Sequence, residues 1–263
     1  MMKPLDVIDS LKTRYANTDI DWELILEHGY RCWLSSESVV LDIGGHAGRH
    51  SRVFADEIGC ARVEVVEPLP GQAAYLHALH DGNPRVRVHE VALGAQRGWS
   101  SFVFNQGAPE ESGLRARVYN DPSAASLEEI EVEVSTIDSL FADLERLDFV
   151  KIDTEGGEVD ILVGGEKTIR RLRPVLSVEY GAASYEAYGK ERITLYRLME
   201  DFEYILFDLF GNSLATPEDW DECVDNYYWD YFAVPRKRAT EFRMQLRGQI
   251  DRVDACIHGS QSR

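Results

Sequence analysis

The stretch VVLDIGGHAGRHS, residues 39–51, joins an apolar run to three glycines and then to a helical pattern. The run Val39–Ile43 predicts a buried parallel strand, and apolar residues recur at helical spacing between Arg49 and Ile58. Glycine tolerates a positive φ and lets a ligand approach the backbone, while the N-terminus of a helix presents unpaired N–H groups. The turn between this strand and this helix is therefore a candidate nucleotide-binding site.

The composition predicts one large globular domain. The chain has 263 residues, of which 44% are hydrophobic, and this is enough for a single sizeable core. A net charge of −18 argues against nucleic acid as a partner, because phosphate binding needs clustered Lys and Arg. The sequence contains neither the apolar core of a signal peptide nor a run long enough to span a membrane, and its cysteines are scattered. We therefore expect a soluble cytoplasmic protein with reduced cysteines and without a membrane partner.

Strand and helix patterns alternate along the central part of the chain, which specifies a parallel sheet with right-handed crossovers. The predicted strands are 39–43, 63–66, 86–91, 149–152, 175–178 and 204–207, with an aromatic run at 227–234, and the predicted helices are 49–58, 72–80, 158–172 and 192–202. Two alternating segments, 102–104 and 130–134, predict an edge hairpin or an inserted pair of strands. The polar stretch 107–126 between them is typical of a mobile loop.

Three regions follow from this pattern. Residues 1–37 form an expected N-terminal helical cap, with helical segments at 7–15 and 22–26, and residues 38–235 form the α/β domain. Residues 236–263 form an amphipathic helical tail. The tail can pack on its own domain, or it can place its basic face against the acidic body of a second copy in a homodimer.

The glycine turn departs from the dinucleotide fingerprint. Its pattern is Asp42-x-Gly44-Gly45-x-x-Gly48. His46 stands where the second glycine of GxGxxG belongs, so pyrophosphate binding is disfavoured. An acid before the turn suits a cofactor with an amino-acid portion, because a carboxylate can meet its ammonium group directly or through water. S-adenosylmethionine is such a cofactor, although the turn alone could equally serve tight packing of strand on helix.

Two histidines flank this turn. Either His46 or His50 can line a pocket beside the glycines. A lone histidine is nevertheless more often a surface or hydrogen-bonded structural residue, so the sequence alone assigns neither of them a direct role.

Two later strand ends extend the candidate cofactor site. Glu67 ends the second strand about 20 residues beyond the last glycine, where this architecture places a ribose-binding acid. Its alternative role is that of a solvated strand end. Ala92 lies in the segment EVALG, residues 90–94, where the chain would pass an adenine, although a plain exit from strand to loop would have a similar sequence.

The segment FVKIDTEGGEVDIL, residues 149–162, gathers acids after an apolar strand. Asp153 falls at the carboxyl end of the sheet, where ligands of open α/β folds bind, and Glu155 follows it. Glu179 ends the next strand and comes out beside Asp153 if those strands are neighbours. Together these three acids can act as a base or as oxygen ligands of a hard divalent cation such as Mg²⁺, with Asp153 and Glu179 the first candidates. The alternatives are that Glu179 anchors a loop and that Glu158 complements a helix N-terminus.

Taken together, LDIGGHAGRHS, Glu67, EVALG and especially KIDTEGGE resemble the FkbM family of S-adenosylmethionine-dependent methyltransferases over roughly residues 39–234. The resemblance implies an α/β fold with a Rossmann-like, seven-stranded class I methyltransferase sheet, helices on both faces and a reversed last strand. It also implies O-methylation of a hydroxyl on a sugar, polyketide or other natural product. His46 replaces the asparagine common in such turns.

The expected roles can be assigned residue by residue. The expected cofactor-binding residues are Asp42, Gly44, Gly45, His46, Gly48, Glu67 and Ala92, and the candidate catalytic residues are Asp153, Glu155 and Glu179. The resemblance also places Glu158 among the acids of the family signature.

The expected function is therefore methyl transfer to a hydroxylated small molecule. Much of the acceleration comes from aligning the acceptor oxygen with the methyl group. An aliphatic hydroxyl is a poor nucleophile near neutral pH, so a carboxylate base or a bound cation helps, and Asp153 is the first candidate. Two alternatives are a nicotinamide oxidoreductase, which the missing glycine opposes, and a non-catalytic cofactor-binding or scaffold protein, which the intact acids oppose.

Overall fold

The computed structural model describes residues 21–246, apart from 117, 120, 122, 124 and 227. The strands in chain order are β1 (Val39–Ile43), β2 (Arg62–Val66), β3 (Val86–His89), β4 (Ala92–Leu93), β5 (Gly98–Asn105), β6 (Leu127–Ser135), β7 (Phe149–Ile152), β8 (Val175–Glu179), β9 (Tyr204–Phe207), β10 (Ser213–Leu214) and β11 (Asp230–Pro235). An eight-stranded sheet has the order β10-β9-β11-β8-β7-β1-β2-β3, and a three-stranded sheet has the order β4-β6-β5.

The α-helices connect the strands of the large sheet or flank it. In chain order they are α1 (Trp22–Trp33), α2 (Arg49–Arg52), α3 (Pro70–Leu79), α4 (Ile137–Leu140), α5 (Glu158–Gly164), α6 (Glu166–Leu172), α7 (Ala182–Tyr185), α8 (Thr194–Asp201), α9 (Pro217–Cys223) and α10 (Ala239–Gln245). None of the helices between residues 21 and 246 combines the length and the apolar character that a membrane span requires.

The topology confirms the expected Rossmann-like α/β class. Strands β3, β2, β1, β7 and β8 are parallel neighbours in that order, so β1 lies between β2 and β7. From β1 to β3 the chain moves toward one edge of the sheet, and from β7 to β8 it moves toward the other edge. Right-handed crossovers therefore place the connecting helices of these two halves on opposite faces of the sheet. The reversed strand β11 lies antiparallel between β8 and β9. The strand count is eight instead of the expected seven, because the short β10 pairs with the outer edge of β9.

Two predicted helices differ from the observed ones. The helix expected over 49–58 begins as α2 and continues as a π-helix over Val53–Glu57. The single helix expected over 158–172 is divided into α5 and α6 at a glycine pair. A Cβ on Gly164 would lie only 2.1 Å from the carbonyl oxygen of Gly94, and this close approach explains the glycine at the break.

The inserted pair of strands is present and longer than predicted. Residues 102–104 lie within β5 and residues 130–134 within β6, and these strands pair antiparallel along their whole length. The polar stretch between them includes a 3₁₀ turn at Pro109–Glu111 and two backbone hydrogen bonds between Val103 and Gly113, of 2.8 and 3.1 Å. Its expected mobility stays a prediction.

The described part of the N-terminal cap shares the main hydrophobic core. Helix α1 places Leu26 and Tyr30 fully out of solvent in that core. The Tyr30 ring centroid lies 4.9 Å from that of Phe54 and 5.2 Å from that of Phe149, which begins β7. Because α1 packs directly on the central strands, it is part of the same folding unit. The helix predicted over 7–15 lies outside the described residues.

The C-terminal helix also packs on its own domain. The side chain of Phe242 in α10 is fully buried, and its ring centroid lies 5.1 Å from that of Trp33 and 5.2 Å from that of Phe232. Leu246 is equally buried. Up to Leu246, the buried residues of this helix lie at positions of the predicted apolar face, while its continuation lies outside the described residues. Contact with a second copy stays a prediction.

We expect Phe242→Ala to lower the free energy of unfolding by about 3–5 kcal/mol, the usual cost of deleting a buried aromatic side chain. Denaturant unfolding followed by circular dichroism measures this change. Met244→Ala in the same helix is the matched control, because Met244 is 69% exposed and should change stability little. Equal stability losses in the two variants would contradict intramolecular packing of the tail.

Candidate active site

The residues singled out by sequence meet at one edge of the large sheet. Strands β2, β1, β7 and β8 are parallel neighbours, so their carboxyl ends lie side by side. The glycine turn follows β1, Glu67 follows β2, Asp153 follows β7, and Glu179 ends β8. This edge is where open α/β sheets bind their ligands. The expected proximity of Asp153 and Glu179 is confirmed, because β7 and β8 are paired.

The glycine turn is shaped mainly by contact with its own neighbours. Gly44 has φ +90°, and a Cβ there would lie 1.7 Å from the carbonyl oxygen of Asp153. A Cβ on Gly45 would lie 2.3 Å from Val65, and one on Gly48 would lie 2.4 Å from Leu79. These glycines therefore allow the strand, the turn and the following helices to pack closely. That was the alternative interpretation of the turn, and it holds for all three glycines.

Glu67 holds the turn while facing a cleft. Its two carboxylate oxygens accept hydrogen bonds from the backbone N–H groups of His46 and Leu69, each at 2.9 Å. Burial raises the pKa of Glu67 to about 7, although both N–H groups oppose this shift. His46 has φ +39°, a conformation that asparagine adopts more easily than most residues, which explains why an asparagine suits this position.

Two adjoining clefts open beside this turn, with empty volumes of about 390 and 320 Å³. The lining of the first combines polar side chains with apolar ones and includes His46, Glu67, Leu69, Phe102, Asp153, Thr154 and Glu155. The second is largely apolar, and its lining includes Val66, Val91, Ala92, Leu93, Phe102 and Leu114. The two clefts share Gly44, Pro68, Phe102 and Thr154, so together they can offer a nucleoside hydrogen-bond partners for its ribose and apolar walls for its base.

The inserted hairpin covers these clefts. Phe102 from β5 lines both of them, and Pro109 and Ser112 line the first. Leu114 lines the second. The sequence predicted the insertion but not its place over the cofactor cleft, because no local pattern reveals where an extra hairpin folds back.

Asp42 is buried beneath the turn and lines neither cleft. It is 1% exposed, and neither carboxylate oxygen has a hydrogen-bond partner among the described residues. Burial raises its pKa to about 6, although the nearby cations of His50 and Lys151 oppose the shift. A buried carboxylate without a partner is costly, so it indicates a polar group that comes from outside the chain. The ammonium group of an amino-acid cofactor, met directly or through water, fits this position.

A buried lysine joins the acids at the end of β7. The side chain of Lys151 is fully buried, and its Nζ lies 3.1 Å from Oδ2 of Asp153 and 2.8 Å from Oδ1 of Asp230. Burial alone would raise the pKa of Asp153, but the Lys151 ammonium, the neighbouring Glu179 and His50 together outweigh it and lower the pKa to about 2. Burial and the negative charge of Asp153 raise the pKa of Glu179 well above its ordinary value. The two neighbouring carboxyl groups therefore have opposite tendencies, because Asp153 favours its ionised form and Glu179 favours its protonated form.

The N-terminal helix contributes a second charged pair. Oε2 of Glu23 in α1 lies 3.3 Å from Nε2 of His50. Burial lowers the pKa of His50, but Glu23 and Asp42 together outweigh it and the net shift is upward, while His50 lowers the pKa of Glu23. Ligand atoms of these two residues and of Asp153 all lie within 4.8 Å of one another. The cap is thus part of the site.

The loop after Asp153 is held in a strained form. Glu155 has φ +60° and Gly156 has φ +117°, and a Cβ on Gly156 would lie 2.5 Å from the ring of Tyr188. Oε1 of Glu158 accepts hydrogen bonds from the N–H groups of Thr154 and Gly156, at 3.1 and 2.9 Å. Glu158, the first residue of α5, therefore anchors this loop. Its position agrees with the alternative that it complements a helix N-terminus.

Sequence reasoning gave no role to three of these charged residues. Lys151 and Asp230 are single charges within apolar or aromatic runs, FVKI and YWDYF, and a charge in such a run must find a partner inside the protein. That anomaly was the available signal for both. Glu23 has no comparable signal, because its contact with His50 depends on how α1 docks.

Comparison with known proteins identifies relatives among methyltransferases. The model of the methyltransferase FkbM domain matches residues 42–207. The 2-O-methyltransferase NoeI of Sinorhizobium fredii (strain NBRC 101917 / NGR234) is 26% identical over 180 residues, which cover 64% of this chain and 74% of NoeI.

Two solved structures of methyltransferases are also similar. Methyltransferase FkbM from Methylobacillus flagellatus KT is 18% identical, with a TM-score of 0.48, and the match covers 76% of this chain and 44% of that protein. The precorrin-6y C5,15-methyltransferase from Geobacter metallireducens GS-15 is 14% identical, with a TM-score of 0.41 and coverages of 72% and 74%. The chain thus spans less than half the length of the first of these structures.

We expect Glu67→Ala to weaken S-adenosylmethionine binding by about 1–3 kcal/mol, because Glu67 is the predicted acceptor of hydrogen bonds from the ribose hydroxyls. Isothermal titration calorimetry measures the affinity. Glu131→Ala, which removes an exposed acid from β6, is the control and should bind as the wild type does. Unchanged affinity in a folded Glu67→Ala protein would remove Glu67 from the cofactor site.

The raised pKa of Glu67 also predicts a pH effect on stability. Its carboxyl group binds a proton more tightly in the folded than in the unfolded protein, so its contribution to stability falls as pH rises from 4.5 to about 7. Compared with Glu67→Gln, the wild type should lose about 1–3 kcal/mol of unfolding free energy over this range. Urea unfolding of both proteins at several pH values tests this. Parallel pH profiles for the two proteins would contradict it.

Proposed function

The chain belongs to the FkbM methyltransferase family, and on this basis we propose that it is an S-adenosylmethionine-dependent O-methyltransferase acting on a hydroxyl of a small molecule. The observation that carries the proposal is the cleft that extends from Glu67 to Asp153. One end of this cleft offers the groups expected to bind the cofactor, and the other offers an ionised carboxylate. A reacting hydroxyl can therefore be held next to the cofactor.

The cofactor would be held by residues with suited chemistry. The carboxylate of Glu67 can accept hydrogen bonds from ribose hydroxyls, and Asp42 can compensate the ammonium group of the amino-acid portion. The apolar slot beside Ala92 and Phe102 can enclose the adenine. When bound, S-adenosylmethionine supplies a methyl group activated by its sulfonium.

Asp153 is the proposed proton acceptor for the hydroxyl. It remains ionised through the neutral pH range, because Lys151 keeps its pKa at about 2. Such a carboxylate is a weak base toward a free alcohol. An alcohol oxygen that gains a methyl group, however, holds its proton far less tightly, so a weak base is sufficient late in the reaction. The first task of Asp153 is thus to orient the hydroxyl, and the second is to take its proton.

The proposed acceptor class is a sugar, polyketide or other hydroxylated natural product. One support is the similarity to NoeI, which is a 2-O-methyltransferase. A second is the net charge of −18, which disfavours a nucleic-acid substrate. Membership in a methyltransferase family also favours methyl transfer over the nicotinamide alternative.

A hard divalent cation such as Mg²⁺ is a second candidate component of this site. Oxygen atoms of Asp153, Glu155 and Glu179 lie within 4.8 Å of one another, which is compatible with cation binding. The ammonium of Lys151 already lies 3.1 Å from Asp153, however, and this position disfavours a second cation beside it.

Turnover distinguishes an enzyme from a non-catalytic cofactor-binding protein. The wild type is incubated with S-adenosylmethionine and a panel of monosaccharides, disaccharides and hydroxylated polyketides, and S-adenosylhomocysteine and methylated products are detected by mass spectrometry. We expect the mass of at least one acceptor to rise by that of one CH₂ group, because a methyl group replaces the hydroxyl hydrogen. Tight cofactor binding without product from any class would favour the binding protein.

We expect Asp153→Asn to retain the fold and most of the cofactor affinity while turnover falls by about 10²–10⁴-fold, the usual contribution of a general base. Calorimetry and the mass-spectrometric assay separate the two effects. Asp160→Asn is the matched control. Asp160 forms a 2.6 Å ion pair with Lys190, apart from Asp153, so this substitution should leave turnover intact. Full activity of Asp153→Asn would end the proposed role of this carboxylate.

A further inference from the structure

Lys151 occupies a position where a charge is unusually costly. It lies within β7, which is flanked by β1 and β8, and its side chain has no solvent exposure. An ammonium group at such a place must be balanced by carboxylates and hydrogen bonds within the protein. The residue therefore serves a purpose that an apolar residue, which would pack there at lower cost, could not serve.

Three strands bring carboxyl groups to this ammonium. Asp153 follows β7, Glu179 ends β8, and Asp230 begins the reversed strand β11 opposite Glu179. Lys151 Nζ lies 3.1 Å from Oδ2 of Asp153 and 2.8 Å from Oδ1 of Asp230, and carboxylate oxygens of Glu179 and Asp153 lie within 4.8 Å of each other. Of the candidate metal ligands Asp153, Glu155 and Glu179, Asp153 is thus already paired with a fixed cation.

The arrangement also orients Asp153. A single carboxylate at a strand end can rotate, but an ammonium on one side and a carboxyl group on the other define its plane. The side chain of Asp153 stays 27% exposed, and Asp153 lines the same cleft as Glu67. Its orientation is therefore set from inside the protein, while the cleft remains open to an acceptor.

We propose that Lys151 is a positioning residue that replaces a divalent metal in this site: its ammonium orients Asp153 toward the acceptor hydroxyl and makes methyl transfer independent of metal. This inference rests on the proposed function for its catalytic part. Its electrostatic part, the exclusion of divalent cations, can be tested without any acceptor.

The first experiment uses the wild-type protein and Mn²⁺ as the probe. Electron paramagnetic resonance should show the same Mn²⁺ binding in the wild type and in Asp153→Asn, because no Mn²⁺ ion is bound by Asp153. Calorimetry should show the same S-adenosylmethionine affinity with and without EDTA. Where an acceptor from the panel is methylated, excess EDTA should leave the rate unchanged. An Asp153-dependent Mn²⁺ site in the wild type, or loss of turnover in EDTA that Mg²⁺ restores, would overturn the proposal.

The second experiment removes the ammonium. Lys151→Met should bind Mn²⁺ at least about tenfold more tightly than the wild type, because the carboxylates lose their internal cation. The gain should disappear in the double variant with Asp153→Asn. Turnover should fall by at least about tenfold while S-adenosylmethionine affinity changes little, since Lys151 acts through Asp153. Lys190→Met, which breaks the ion pair with Asp160, is the control and should change neither quantity.

The outcomes separate this inference from the proposed function. Wild-type protein that binds S-adenosylmethionine but methylates nothing would contradict the function, while a gain of Mn²⁺ binding in Lys151→Met would still support exclusion of the metal. A folded Lys151→Met protein that binds no more Mn²⁺ than the wild type would refute that exclusion even if methylation occurs. If Lys151→Met does not fold, the wild-type Mn²⁺ titration decides alone.

Discussion

The central strands of this protein are buried on both faces, so any charge within them must be balanced inside the molecule. Glu64 in β2 is fully buried and pairs with Arg62 and His89, which are closer to solvent. Lys151 in β7 has no such access and depends on Asp153 and Asp230. The same constraint that makes the sheet apolar therefore requires a partner for each charge within its strands, and the partners of Lys151 lie at the carboxyl edge, where ligands bind.

The reversed strand has a particular importance at this edge. In a wholly parallel sheet, every residue at the carboxyl edge would come from the end of a strand. Because β11 runs antiparallel to β8, its first residue, Asp230, lies opposite Glu179, the last residue of β8. An acid at the beginning of a strand thus joins acids at the ends of others. The reversal supplies the second carboxylate that a fully buried ammonium requires.

Much of the fold could be predicted because its central strands are continuous apolar runs. The predicted bounds of β1 and β7 agree with the observed ones, since Val39–Ile43 and Phe149–Ile152 are bounded by polar or glycine residues. The break between α5 and α6 could not be predicted, because it reflects the approach of Gly94 to Gly164 from a distant segment. The placement of Asp42, Glu67 and Asp153 at one edge followed from topology. The partners of these acids could not be predicted, because they depend on how α1 docks on the sheet and on the register of β11.

The charged groups of this site extend beyond the segment that defines the family. The matched region covers residues 42–207, whereas Glu23 lies before it and Asp230 after it. Exchange of that region alone between two relatives would transfer the glycine turn and the acid signature but leave Lys151 facing a foreign strand. A chimera of this kind would keep every recognisable motif, and Lys151 would stay balanced only where the other protein also supplies an acid at the position of Asp230. In this protein, the segment that must be exchanged as a whole to keep its charges balanced is therefore longer than the segment that identifies the family.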